Sequence, residues 1–291
     1  LDWALALSVS LCAACTGGDF APASRLTDLR LVAVQADKPA AEPGDAVKLS
    51  AIYHDEAERP LNIGYAMCDG STSSAALDCL RVMDLDTLVI GQDQAEFEFT
   101  MPERSGEAKR DSAIGVAVIV CPGEIVRGDT NGVPIACEVD GQALDVNDFE
   151  MGVKRVFFAG ETPNHNPEIS ALRWDGEPWP ADEIKEVTPC DKDSDELEDC
   201  KPAFRHTIAL EAADAVEDFV DAQGNPVTEQ VVAQFYATGG TFEYDVRTLA
   251  TASTRWVAQK SDAGKTLSLH FVVRDTRGGV SWETRQVLVG E

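Results

Sequence analysis

Basic residues are scarce in this sequence. Its 291 residues hold 24 Lys and Arg against 51 Asp and Glu, a formal net charge of −27 with a pI near 4.3. A surface this negative repels nucleic acid and anionic lipid headgroups, which are held by Lys and Arg. It suits solubility, divalent cations or basic partners. Long apolar runs are missing as well. The stretch at residues 4–14 is too short for a spanning helix, which needs about 20 residues. The four histidines, His54, His165, His206 and His270, show no zinc-protease spacing and form no Cys/His cluster. Neither a Gly-x-Ser-x-Gly elbow nor a Gly-rich phosphate loop ending in Lys-Ser/Thr occurs. The sequence therefore offers no catalytic residue. Paired carboxylates are recognised by their separation in space, so an envelope-polymer hydrolase using loop carboxylates stays open as an alternative.

The N-terminal region is the most informative. Leu5-Ala6-Leu7-Ser8-Val9-Ser10-Leu11-Cys12-Ala13-Ala14-Cys15 is apolar and small, and Thr16-Gly17-Gly18-Asp19 comes directly after it. A secretory segment needs an apolar core of about 7–15 residues and small residues before the cut. The stretch resembles the end of a bacterial lipoprotein signal peptide. That resemblance implies a signal at residues 1–14, lipid on Cys15, a tether over 15–25 and a membrane held through the N-terminal lipid. Because Thr16 rather than Asp stands after Cys15, it further implies the outer membrane of a Gram-negative bacterium, periplasmic or surface-facing. Two features depart from the pattern: Cys12 stands where an aliphatic is usual, and Leu1 and Asp2 open the chain in place of a basic segment. An ordinary signal peptide cut near Ala14 and a buried N-terminal helix are the rival readings.

Eight cysteines fit the same address. With Cys12 leaving in the signal and Cys15 taking lipid, six remain: Cys68, Cys79, Cys121, Cys137, Cys190 and Cys200. Six cysteines allow about fifteen connectivities. Sequence proximity favours Cys68–Cys79, Cys121–Cys137 and Cys190–Cys200, bridges that persist in an oxidising compartment. Metal binding would need tighter, C-x-x-C-like spacing.

Strand signals dominate the chain beyond residue 25. Residues 47–53 and 95–101 alternate apolar and polar with period two, and residues 114–120 form an apolar run of strand length. Further strands are expected at 29–34, 61–67 and 153–159, with a short helix within 71–86. Residues 122–152 read as a long polar excursion pinned by Cys121 and Cys137. The run Glu161-Thr162-Pro163-Asn164-His165-Asn166-Pro167 disfavours helix and central strand and marks a boundary. Beyond it, strands are expected at 168–174, 204–210, 231–237, 241–244 and 253–259. A closing hairpin is expected over 267–289.

The expected fold is all-β: two β-sandwich domains in tandem, 26–160 with a long Cys-bounded insertion, and 161–291. The two units rhyme loosely. Leu29-Arg30-Leu31-Val32-Ala33-Val34 with Glu42-Pro43-Gly44-Asp45 resembles the opening of bacterial immunoglobulin-like domains. Phe271-Val272-Val273-Arg274-Asp275-Thr276-Arg277-Gly278-Gly279-Val280 resembles the last hairpin of polycystic-kidney-disease-type and cadherin-like surface domains. The resemblance implies a fold and a surface setting, and little chemistry.

One loop has metal-ligand character. Asp191, Asp193 and Asp195 alternate between Cys190 and Cys200, as at the start of a calcium loop, because a hard cation takes several oxygens from one turn. Glu196 then stands where a helix-loop-helix calcium motif needs Gly, so a disulfide-closed solvated loop is the simpler reading. No other cofactor is expected. Trp174 and Trp179 flank a turn, either as an aromatic platform or as packed side chains. The reading is an exported, lipid-anchored envelope protein with a non-enzymatic binding, adhesion or scaffold role, an envelope protein or polysaccharide as partner, and no nucleic acid. A calcium-stiffened spacer is a further alternative.

Overall fold

The computed structural model describes residues 23–68, 76–103, 112–130, 132–160, 163–194, 196–212, 216–220, 224–249 and 252–291. The first half holds β1 (Arg30–Ala36), β2 (Ala40–Ala41), β3 (Ala46–His54), β4 (Asn62–Cys68) and helix α1 (Ala76–Arg81). It continues with β5 (Val89–Gln92), β6 (Glu96–Thr100), β7 (Ala113–Cys121), β8 (Glu124–Thr130), β9 (Val133–Val139), β10 (Gln142–Ala143) and β11 (Glu150–Phe158). The second half holds β12 (Ala171–Trp174), β13 (Glu177–Pro178), β14 (Lys185–Val187), β15 (His206–Glu211), β16 (Asp218–Val220) and β17 (Pro226–Thr228). It ends with β18 (Val231–Ala237), β19 (Thr241–Phe242), β20 (Val246–Thr248), β21 (Ser253–Val257), β22 (Thr266–Asp275) and β23 (Val280–Val289).

Alternation in the sequence decides what each strand buries. In β3, Val47, Leu49 and Ala51 point into the core, whereas Lys48 and Ser50 point away. Sheet β1-β3-β6 faces sheet β2-β11-β7-β4-β5 across a core that includes Leu49, Ile63, Tyr65, Val118 and Val156. Sheet β13-β12-β15-β21-β19 faces sheet β14-β23-β22-β18-β20 across Trp174, Trp179, Phe235, Trp256 and Phe271.

The two halves share one topology. Strands β1-β3-β6 correspond to β12-β15-β21, and β2-β11-β7-β4-β5 correspond to β14-β23-β22-β18-β20. In both, the opening strand of the half crosses between sheets, and its second piece pairs parallel to the last strand. These are immunoglobulin-like β-sandwiches, sequential strands divided between two sheets packed face to face. The rhyme in the sequence is a repeat of strand order.

The region 122–152 is not the open excursion that its polarity implies. Strands β8, β9 and β10 form a ribbon, with a tight turn at Asp140-Gly141, both at positive φ, as a two-residue hairpin loop requires. The ribbon and α1 cover the outer face of β4 and β7, packing Leu80, Ile125 and Ile135 on Ala117 and Ile119, with Phe149 ahead of β11 in the same cluster. The outer face of β1 and β3 packs in turn on the outer face of β18, β22 and β23. In the described residues, the ribbon, the two sheets of the first sandwich and the two sheets of the second thus stack face to face across successive apolar seams.

All three local disulfides form: Cys68–Cys79, Cys121–Cys137 and Cys190–Cys200. None crosses the middle of a sandwich. The first two lie in the seam under the ribbon, and the third closes a loop against Val257 at the other end of the stack. Thin covers have little apolar area of their own, so a covalent closure adds what packing cannot.

Candidate functional site

The seam between the sandwiches gathers the most unusual chemistry of the described residues. Its apolar part joins Leu26, Val32, Ala33 and Ile52 to Tyr236, Val272, Val280 and Trp282. A β-bulge sets this up. The pairing of β1 with β3 slips between Leu31 and Ala33, so Val32 is an extra residue. Val32 and Ala33 both reach the seam, and Val34 returns to the first core. The bulge carbonyl of Val32 accepts from Arg274 Nη2 at 2.7 Å, and Arg274 Nε donates to Gln234 Oε1 at 2.6 Å. A backbone group freed by the bulge in one half is therefore satisfied by the other half.

The linker is part of the same seam. Asn166 Nδ2 donates to the Ala36 carbonyl at 2.7 Å, and its Oδ1 accepts from Val280 N–H at 2.9 Å. Asn164 Nδ2 donates to Asp275 Oδ2 at 3.1 Å, while Asp275 Oδ1 accepts from the N–H groups of Arg277 and Gly279. The chain before β1 also docks on the second half: Leu26 N–H donates to the Ala237 carbonyl at 2.8 Å, and Ala237 N–H donates to the Ser24 carbonyl at 2.9 Å. The expected tether over 15–25 lies mostly outside the described residues. Its last residues, Ser24 and Arg25, are packed rather than free.

Four titratable groups at or beside this seam are shifted. Lys154 is buried, its Nζ donating to the Gly278 carbonyl. Burial, with Arg274 nearby, lowers it to about 8. Burial and the Asp275 charge raise Glu229 to about 7. His270 is lowered to about 4 by burial and then by His54 of the first half. His54 is lowered by burial, against the opposing pull of Asp55 and Glu56.

Two clefts flank these groups. One of about 280 Å³ lies between the halves, over Leu31–Val34 of β1, Lys154, Arg274 and the turn at Gly278 and Gly279. The other, of about 390 Å³, lies at the end of the first sandwich beside Tyr53, His54 and Asp93. Two of its carboxylates are engaged. Asp55 holds Arg59 through both oxygens, at 2.7 and 2.9 Å, and Asp93 accepts the Leu61 N–H at 3.1 Å. The Arg59 contacts hold the Asp55 carboxyl below its ordinary value.

The acidic loop lies at the far end of the stack. Asp191 pairs with Lys201 at 3.1 Å, and Asp193 accepts the Ser261 N–H at 2.7 Å. These contacts lower both carboxyls. The two side chains thus serve different partners, and Asp195 lies outside the described residues. Gln259 fastens the loop by reading Ser194 twice, accepting its N–H at 2.8 Å and donating to its carbonyl at 2.7 Å. Among the described residues no three His, Cys, Asp or Glu side chains converge as metal ligands. Trp174 and Trp179 are both core, meeting edge to face with ring centroids 4.8 Å apart. Cys12 and Cys15 lie outside the described residues. Of the seam residues, Asn164 falls in the boundary run and Arg274 in the closing hairpin, but Lys154 and Glu229 carry no motif, and none of the four is marked as a seam residue by the sequence. Their one signal is polarity inside or beside apolar strands, which many solvated residues share.

Neither a family model nor a curated protein matches the sequence. Among solved structures, the tandem immunoglobulin repeats of Dlar are 8% identical, with 91% of this chain and 98% of that chain covered and a TM-score of 0.27. The D0-D1 domain of intimin is 11% identical, covering 89% and 98%, with a TM-score of 0.23. The two tandem V-type regions of VCBP3, a V-region-containing chitin-binding protein, are 9% identical, covering 90% and 100%, with a TM-score of 0.30. Likenesses this low carry no weight beyond themselves, and the fold rests on the strand order above.

Proposed function

We propose that this chain is an exported cell-envelope protein, lipid-anchored through Cys15 in the outer membrane, and that its two sandwiches, 26–160 and 161–291, act together as one rigid, non-enzymatic binding or scaffold module. The observation that carries the module is the seam. Its apolar contacts and its hydrogen bonds through Arg274, Asn166 and Lys154 fix one half against the other. A fixed orientation lets two surfaces present one partner site without an ordering cost on binding. Three disulfides suit an extracellular or periplasmic setting. Among the described residues no helix is long and apolar enough to cross a membrane. The partner is an envelope protein or polysaccharide, met by loops or an open sheet edge such as β5, where Val89 and Ile90 are exposed.

Palmitate labelling of the wild type and Cys15→Ala in a Gram-negative host tests the anchor. Label on the wild type alone supports it; label on both or on neither overturns it. Incubation with purified peptidoglycan tests the non-enzymatic role, and release of soluble fragments by the purified protein overturns that part.

A further inference from the structure

Two buried oxygens beside the seam lack any hydrogen-bond donor: Glu229 Oε1 and Asn164 Oδ1. Both residues are only 4% exposed. Asp275 joins them. Asn164 donates to it, and Val231 pairs with Asp275 across β18 and β22. Glu229 stands two residues before Val231, just ahead of β18, and the Asp275 charge acts on it. Ionised, Glu229 is a buried charge beside the Asp275 carboxylate, with Glu217 in range. The nearby guanidinium of Arg277 lies 3.2 Å from Glu217 Oε2 and stacks over Phe219, and His165 Nδ1 lies 2.7 Å from Glu217 Oε1. Asp275 of β22, Arg277 of its turn and Glu217 of the segment before β16 are the charges that act on Glu229.

A single proton answers both deficits. It removes the buried charge and supplies the missing donor. We propose that Glu229 is the proton-binding site of the inter-sandwich seam: the neutral acid donates to Asn164 Oδ1 and holds the linker on the 275–279 turn, and ionisation releases that contact. The inference is independent of the lipid anchor. The elevation of Glu229 to about 7 by burial and Asp275 agrees with it and sets the window. Such a seam is tight in mildly acid surroundings and loosens as pH rises through neutrality.

The test uses the purified full chain. Carboxyl-13C labelling of Glu, followed by NMR from pH 4 to 9, reads Glu229 directly. A transition near pH 7 supports the proposal, and one near the ordinary 4.5 overturns it by leaving Asn164 to a buried water. Amide exchange at Val280, whose N–H is held by Asn166, reports the linker contact. Corrected for intrinsic rates, its protection falls about tenfold between pH 6 and 8 in the wild type, and is flat in Glu229→Gln, whose amide keeps the donor. The same fall in both proteins overturns the proposal.

Discussion

His270 allows a worked experiment on the seam. It sits in β22, buried, with Nδ1 3.0 Å from Thr284 Oγ1 of β23, and His54 of the first half bears on it electrostatically. The perturbation is His270→Gln, which keeps a polar contact with Thr284 and removes the titration. Burial and His54 lower the histidine from 6.5 to about 4. The folded value lies below the unfolded one, so the unfolded chain binds more protons between those limits. Stability from the neutral ring is therefore full above pH 6.5 and drains as pH falls toward 4. From these limits the loss by pH 4.5 comes to about 2.5 kcal/mol, two and a half pK units being worth about 3.4 kcal/mol in full. Urea unfolding at pH 7.5 and 4.5, in wild type and His270→Gln, measures it as a difference of differences, which cancels the carboxylates common to both. The wild type is expected to lose about 2.5 kcal/mol more than the variant over that interval. Equal losses, within about 0.5 kcal/mol, would refute a buried neutral His270.

The same geometry sets three further outcomes. Lys154→Met removes an ammonium that burial depresses from 10.5 to about 8; wild-type stability is expected to rise by up to about 3 kcal/mol between pH 8 and 10.5 and the variant's to show no such gain, read by alkaline urea melts. Arg274→Met strands the Val32 carbonyl and the Gln234 amide oxygen, so unfolding free energy falls by about 1–3 kcal/mol and the amides of 24–34 lose exchange protection. Cys190→Ser with Cys200→Ser opens a loop of sequence separation 10, lowering stability by about 3 kcal/mol in chemical denaturation.

The strands were legible because period-two burial leaves its mark in sequence. Val47, Leu49 and Ala51 announce β3, and the buried run at 114–120 announces β7. Local disulfides followed from proximity. The ribbon at 122–152 reads as an open loop because its polar residues face solvent, while Ile125, Val133, Ile135 and Cys137 fold back onto the outer face of β4 and β7. The Asp140-Gly141 hairpin signal is nonetheless present. Strand β5 leaves no signal because, with Val89 and Ile90 exposed on an open edge, it shows no alternation. The seam was illegible for a deeper reason. Val32, Val272 and Val280 look like ordinary strand residues, and only packing between halves shows which faces they cover. The burial of Glu229 and Asn164 leaves no sign in the sequence, since burial of a polar side chain is a property of the assembled layers.

The docking of residues 24–26 on Ala237 bears on how the molecule would carry load. Tension applied to the chain ahead of residue 24 does not meet β1 first. It meets the two backbone hydrogen bonds to Ala237, at the end of a central strand of the second sandwich. Force entering there passes directly into the second half, and the first sandwich is bypassed until those bonds part. Their rupture would be the earliest mechanical event under pull, ahead of any unravelling of either sandwich.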